Sequence, residues 1–314
     1  MRAASSVRPS DGGLPCRRTA DLRSSVKNGD SEAPKSLEPC VGVGLRRVHL
    51  DAVLVTERRV DELEIVPENY VGFGGRARAK LDRVAERFPL SVHGVGLSLG
   101  GPDALDRDFL ASLATLLDDF DVPSFSEHAC FSRVGDAHSL DLLPLPFTEE
   151  AARWLGRRTR EAAERLERPV ALENVTYYAT MPTSVLDEGA FLRAVLEEAD
   201  GSLLLDVNNV FVNAKNHGRD PSEVLASLPL ERTTRIHLAD HREEDGVLLD
   251  DHSGPPRAAV MRLYVEALRR IGRPVPTVIE WDHGLRDLDA LLDAADFVRD
   301  VARSVFAPTH AEVA

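Results

Sequence analysis

The chain has 314 residues, 43% of them hydrophobic and 29% charged, enough for one large core or two medium ones. No stretch approaches the roughly 18 consecutive apolar residues of a membrane span, and no apolar signal run opens the chain, so the sequence predicts a cytoplasmic protein that engages no membrane. The formal charge is −14, and because residues 1–40 hold 7 Lys and Arg against 5 Asp and Glu, the remainder carries 31 against 47, or −16, a balance that repels phosphate backbones and argues against nucleic acid as a partner.

In chain order, residues 1–40 are rich in Ser, Arg, Gly and Pro without apolar periodicity, the composition of a disordered extension. From Val41 onward, eight short apolar runs read as strands: Val41–Leu45, Leu63–Val66, Leu90–Val95, Ser124–His128, Val170–Glu173, Leu203–Val207, Arg235–Leu238 and Thr277–Glu280. Helical stretches separate them, at Arg76–Phe88, Asp106–Phe120, Thr148–Leu166, Glu188–Ala199, Arg257–Ile271 and Leu288–Val305, with a further helix start at Asp220-Pro221. Eight strands alternating with helices is the count of a single TIM (β/α)₈ barrel over residues 41–305, followed by a tail at 306–314; a doubly wound open sheet shares the alternation.

In a parallel barrel the C-terminal strand ends converge on one mouth. Seven of the eight ends here carry a charged or imidazole side chain, five of them directly after Val, Ile or Leu: Glu68, His93, His128, Glu173, Asp206, His237 and Glu280, with Asp250-Asp251-His252 in the loop after the seventh run. Singly, each has an ordinary structural use: His237 as a hydrogen-bond partner, Glu173 or Asp206 as a helix cap, Asn174, Asn208 and Asn209 as turn residues, Cys130 as a small hydrophobe, His138, His283 and His310 at the solvated rim. Together in a half-buried site they would pay a desolvation cost of several kcal/mol per ion, which bound cations offset. The cysteines Cys16, Cys40 and Cys130 are too scattered for a thiolate site, and mixed imidazole and carboxylate ligation suits Fe, Mn, Zn or Co better than Mg or Ca. The segments around the sixth run and at Asp240–Gly254 read as a mobile rim suited to an exchangeable substrate.

Ten segments in order, GVGLR (Gly42–Arg46), PENY (Pro67–Tyr70), HGVGLSLG (His93–Gly100), SEH (Ser126–His128), DLLPLPFT (Asp141–Thr148), LEN (Leu172–Asn174), LLLDVNNVFVNAKNHG (Leu203–Gly218), IHLADH (Ile236–His241), the Asp250/His252 pair and IEWD (Ile279–Asp282), resemble the multinuclear non-haem iron-dependent oxidative enzymes, which include the iron enzyme of methanobactin biosynthesis. The resemblance implies a TIM barrel binding two or three irons, mixed Fe(II)/Fe(III), through His93, His128, Glu173, Asp206, Asn208, His237, Asp250, His252 and Glu280, with Glu173, Asp206, His237 and Glu280 central to catalysis. Asp250 rather than Asp251 follows from that family's Asp-x-His spacing. Glu68, Asn69, Glu127, His217 and His241 would support the ligands or touch substrate. The resemblance further implies oxidation by O₂ of a side chain, commonly cysteine, in a ribosomally made precursor peptide, and a separate small partner protein that recognises the leader.

Two other functions fit a barrel with such a mouth. A divalent-metal hydrolase or isomerase of the xylose-isomerase-like barrels gathers the same residue types, although Lys215 is the only lysine after Lys80 to serve as an isomerase base. A metal-binding scaffold would close its site, whereas an enzyme keeps a position open.

Overall fold

A computed structural model of the chain describes residues 38–72 and 74–307. The disordered extension expected at 1–40 and the tail at 306–314 fall almost wholly outside the described residues.

The eight expected strands all form and close into one parallel barrel: β1 (Val41–Gly44), β2 (Leu63–Ile65), β3 (Leu90–Gly94), β4 (Phe125–His128), β7 (Val170–Glu173), β8 (Ser202–Asp206), β9 (Thr233–Leu238) and β12 (Thr277–Ile279). The remaining strands make two antiparallel hairpins, β5 (Cys130–Val134) with β6 (Ala137–Pro144), and β10 (His241–Glu244) with β11 (Val247–Asp250). Closure is made where β1 pairs with β12 on one side and β2 on the other, Val43 lying opposite both Ile279 and Leu63. Apart from the first residues of β8 and β9, where Ser202, Thr234 and Arg235 reach solvent, the barrel strands are buried, as parallel strands covered by helices must be.

Helices α1 (Leu50–Val53), α2 (Gly75–Ala85), α3 (Arg107–Asp119), α4 (Glu149–Leu166), α5 (Glu188–Ala199), α6 (Val207–Asn216), α7 (Pro221–Ser227), α8 (Ala258–Ile271) and α9 (Leu288–Phe306) lie between and after the strands. Most start where a short polar side chain accepts the orphan amides of the first turn: Asp106 for α3, Thr148 for α4, Asp187 for α5, Asp220 for α7 and Asp287 for α9. In α4 the buried Ala152, Leu155, Thr159, Ala162 and Leu166 recur at helical spacing and set its inward face.

Two expectations about the rim are corrected. The Asn-rich segment after the sixth barrel strand is helix α6, which begins at Val207 with no intervening loop because the side chain of Asp206 caps it, Oδ1 accepting from the Asn209 amide at 2.6 Å. The stretch 240–254 is not an irregular loop either: its larger part is the β10–β11 hairpin, turned by Asp245 and Gly246, both at positive φ as a tight two-residue hairpin turn requires. Its β11 edge is docked on α6 by the Asn216 amide, which donates to the Leu248 carbonyl at 2.8 Å and accepts from the Leu248 N–H at 2.9 Å.

Candidate metal centre

Glu64 on β2 and His237 on β9 are separated in the sheet by β1 and β12, yet Glu64 Oε1 lies 2.9 Å from His237 Nε2. Both therefore point into the barrel. Since side chains alternate along a strand, Glu62 and Arg235 point inward one layer below, where they form a two-point ion pair at 2.7 and 2.9 Å.

Above this floor the strand ends bring together two groups of candidate ligands. In the first, His93 Nε2 stands 2.9 Å from Glu173 Oε2 and 3.3 Å from His128 Nε2, which is itself 3.4 Å from the same carboxylate oxygen. In the second, His237 Nδ1 lies 3.1 Å from Glu280 Oε2 and 3.6 Å from Glu173 Oε1, with Asp206 completing a set of four. Glu173 belongs to both groups, with Oε2 in one and Oε1 facing the other. A carboxylate so placed can bridge two cations.

The far side of each imidazole is oriented by a neighbour. His93 Nδ1 lies 2.9 Å from Ser126 Oγ, and His128 Nδ1 lies 3.0 Å from the Gly94 carbonyl and 3.3 Å from Glu127 Oε1. That fixes which nitrogen of each ring faces inward. Glu127 Oε2 also accepts from the Leu97 amide at 3.0 Å, while Glu68 Oε1 accepts from Val95 and Gly96 at 3.0 and 2.7 Å. A Cβ at Gly94 would sit 2.5 Å from the Phe125 ring and 2.9 Å from Glu127 Oε2, and one at Gly96 2.8 Å from Glu68 Oε1, so these glycines make room for the Phe125 ring and the two carboxylates.

Asn208, Asp250 and His252 form a third group at the rim. Asp250 Oδ1 lies 3.0 Å from His252 Nε2 and accepts from Asn208 Nδ2 at 2.7 Å. Asn208 turns its oxygen to His241 Nδ1 at 2.7 Å, so it could join a cation beside Asp250 only after its amide flips. Within this group Asn208 is as buried as the interior ligands, but Asp250 and His252 are partly open: their side chains are each 18% exposed, against 2% for Glu173 and none for His237.

The electrostatics show what the cluster demands. Burial pushes Asp206 well above the usual carboxylate range, with Glu173 and Asp250 adding repulsion. For His128 burial opposes the charged form, but Glu173 and then Glu127 outweigh it and lift the imidazole to about 9. His237 and His252 likewise rise well above the ordinary imidazole value against burial, through Glu64 and Asp250 respectively. Carboxylates packed this tightly call for positive charge among them, supplied either by protons on the imidazoles or by metal ions that displace those protons. Orphaned atoms favour metal: Glu173 Oε2, Asp206 Oδ2 and both ring nitrogens of His237 are buried without hydrogen-bond geometry to any partner, and all are nitrogen or oxygen donors. The residues fit a multinuclear site of imidazole and carboxylate ligands.

All nine sequence-expected ligands thus stand at the mouth, six in the two interior groups and three at the rim. Of the supporting residues, Glu127 and His241 hold ligands and Glu68 holds the loop above them, whereas His217 stacks on Tyr177 and Asn69 is exposed. Glu64 was not expected, because it lies inside its strand rather than at its end; a charge between Leu63 and Ile65 in a run read as buried was the available signal. Arg46 and Asp282, flanking Glu280, were also not singled out.

Fold and site define a TIM barrel with a candidate metal centre at its mouth. Solved structures with the same fold include a D-psicose 3-epimerase with D-tagatose from Clostridium cellulolyticum H10 (TM-score 0.58, 14% identity, 85% of this chain and 99% of that one) and endonuclease IV from Thermus thermophilus (0.55, 16%, 85% and 100%). Residues 40–303 match the model of the RiPP precursor modification enzymes MbnB/TglH/ChrH, and the chain belongs to that family of enzymes acting on ribosomally made peptides. Similar relatives are UPF0276 proteins of Anaeromyxobacter sp. strain Fw109-5 (41% identical, 85% of this chain and 94% of the relative) and Pseudomonas aeruginosa PAO1 (40%, 83% and 92%). Among the described residues, no helix is long and apolar enough to cross a membrane.

Proposed function

We propose that this chain holds two or three iron ions at the barrel mouth and uses O₂ to oxidise a side chain, cysteine above all, of a ribosomally synthesised precursor peptide. The observation that carries the reading is the position of Glu173, one buried carboxylate shared by two ligand groups of nitrogen and oxygen donors. Iron held there would supply redox chemistry with O₂ and an open position for a thiolate.

The protein's own part follows from its residues. Ser126, the Gly94 carbonyl and Glu127 hold His93 and His128 with their Nε2 atoms inward. Asp206 spends Oδ1 on capping α6 and keeps Oδ2 free for a cation. Glu64 lies behind His237 on the floor side, which leaves Nδ1 facing Glu173 and Glu280. The two hairpins leave the C-terminal face, where barrel active sites lie. They and the loop after β7 present Val134, Leu140, Val247 and Tyr178 to solvent, at 51%, 96%, 41% and 50% exposure, a rim suited to an extended peptide of mixed polarity. A small partner protein that grips the leader completes the proposal.

The test is oxygen consumption by the anaerobically purified, iron-loaded protein with the short peptide encoded beside its gene, supplied together with any small protein encoded there. Uptake of O₂ with a mass change at a cysteine, abolished by Cys→Ser in the peptide, supports the reading. Metal-dependent turnover of a sugar without O₂ would move the function to the isomerase class that shares the fold.

A further inference from the structure

Resting on the multinuclear centre proposed above, we infer that Arg46 and Asp282 are positioning residues for the rim cation position at Asp250 and His252, Asp282 aiming the His252 ring and Arg46 holding Asp282.

His252 is held twice over. Its backbone lies in the left-handed region at φ 49, fixed by its N–H donating to the Asp240 carbonyl at 3.1 Å and its carbonyl accepting from Asp282 and His283 at 2.8 and 3.2 Å. Its ring is clamped between carboxylates: Nδ1 lies 3.2 Å from Asp282 Oδ2, which leaves Nε2 facing Asp250 Oδ1 at 3.0 Å. An imidazole whose Nδ1–H is taken by a carboxylate offers the Nε2 lone pair to a metal and is the more basic for it.

Asp282 is held in turn by Arg46, whose Nε donates to Oδ1. The Arg46 Nη2 lies 3.7 Å from Glu280 Oε1, while Glu280 Oε2 faces His237, so the same guanidinium attracts the oxygen of Glu280 that does not face His237. Arg46 can fold back over the mouth because Gly44 has no side chain: a Cβ there would lie 3.1–3.3 Å from three guanidinium atoms. Arg46 follows β1 and Asp282 follows β12, the strand pair that closes the barrel, so the clamp is anchored on backbone hydrogen bonds rather than on the hairpin. The rim ligands face solvent that competes for a cation, and pre-aiming their imidazole matters most there.

The experiment compares the full chain with Asp282→Asn, Asp282→Ala, Arg46→Lys and Arg46→Gln, each loaded anaerobically with iron-57 Fe(II) and dialysed against a range of free Fe(II). The expected wild type holds three ions, one weaker than the others. Asp282→Ala is expected to weaken that ion about 10- to 100-fold and to keep two ions at wild-type affinity; Arg46→Gln, which also gives up the contact with Glu280, is expected to weaken it as much and to retain the other two with a smaller loss. Asp282→Asn, whose amide oxygen still accepts from Nδ1, and Arg46→Lys are expected to fall between. Retention of two ions shows within the same sample that the variant barrel is folded. Unchanged binding of the third ion, simultaneous loss of all ions, or a wild type with only two would overturn the inference; a wild type that binds no iron would instead overturn the proposed function.

Discussion

The interior and the rim of this mouth are built on different principles. His93, His128, Glu173 and His237 sit on β3, β4, β7 and β9, within the ladder, and are almost wholly buried, so strand register alone places their donor atoms within a few ångströms of one another. Asn208, Asp250 and His252 sit on a helix, a hairpin and a loop, and depend on side-chain scaffolding: Asn216 and Tyr178 holding the hairpin, Asp282 and Arg46 holding His252. A site fixed by backbone register resists perturbation, whereas one fixed by side chains can be tuned one residue at a time. The interior is expected to hold its ions tightly and the rim to exchange its ion.

The largest expected effect is at the shared ligand. Glu173→Ala removes a donor from both interior groups, and the variant should lose both interior ions, with affinity falling on the order of 100-fold or more, as metal analysis after dialysis would register. Equal loss on Asp250→Ala would erase the distinction between interior and rim.

Glu188 sharpens the comparison from the opposite side, as a carboxyl buried outside the ligand groups. Burial pushes its pKa from 4.5 to about 7, with Tyr177 and Asn213 as hydrogen-bond partners. Because the folded value is raised, the contribution to stability is full below about pH 4.5 and is lost as pH rises through about 7. Glu188→Gln should therefore match the wild type near pH 4.5 and exceed it by about 3 kcal/mol above pH 7, read from urea denaturation across pH. A difference independent of pH would show that Glu188 titrates normally.

Asn216→Ala should cost the hairpin about 1–2 kcal/mol of local stability through two lost hydrogen bonds. Hydrogen exchange would show faster protons over Val247–Asp250 with barrel strands unchanged. The narrowest effect belongs to His252→Asn: asparagine suits the left-handed backbone but gives up the imidazole between Asp250 and Asp282, so the rim ion should be lost with the interior ions retained, as metal analysis after dialysis would register. Loss of the interior ions as well would contradict the separation of interior and rim.

Much of this molecule could be read from the chain because barrel strands are continuous apolar runs and the residues ending them are polar. All eight strands and the interior ligands follow from that pattern, including Glu173 after Val170-Ala171-Leu172. Less legible were features in which one residue serves two purposes. Asp206 ends a strand and caps a helix at once, and that hid α6 behind Asn208 and Asn209, which resemble a turn. Asp245-Gly246 is a strong hairpin signal, but the strands it joins, His241–Glu244 and Val247–Asp250, are short and charged, so hydrophobic alternation does not announce them. The contact of Glu64 with His237 crosses the barrel interior and becomes visible only once the sheet is closed.

The central proposal is that Glu173, shared by the two interior ligand groups, would hold a coupled pair of irons, with a separable third held by Asp250 and His252. Mössbauer spectroscopy of the iron-57-loaded chain, purified anaerobically, tests it most directly. The account predicts three irons per chain, an exchange-coupled Fe(II)/Fe(III) signal from the interior pair and a further ferrous component that dialysis removes first. A single uncoupled iron, or zinc or manganese alone even after reconstitution with iron, would contradict it.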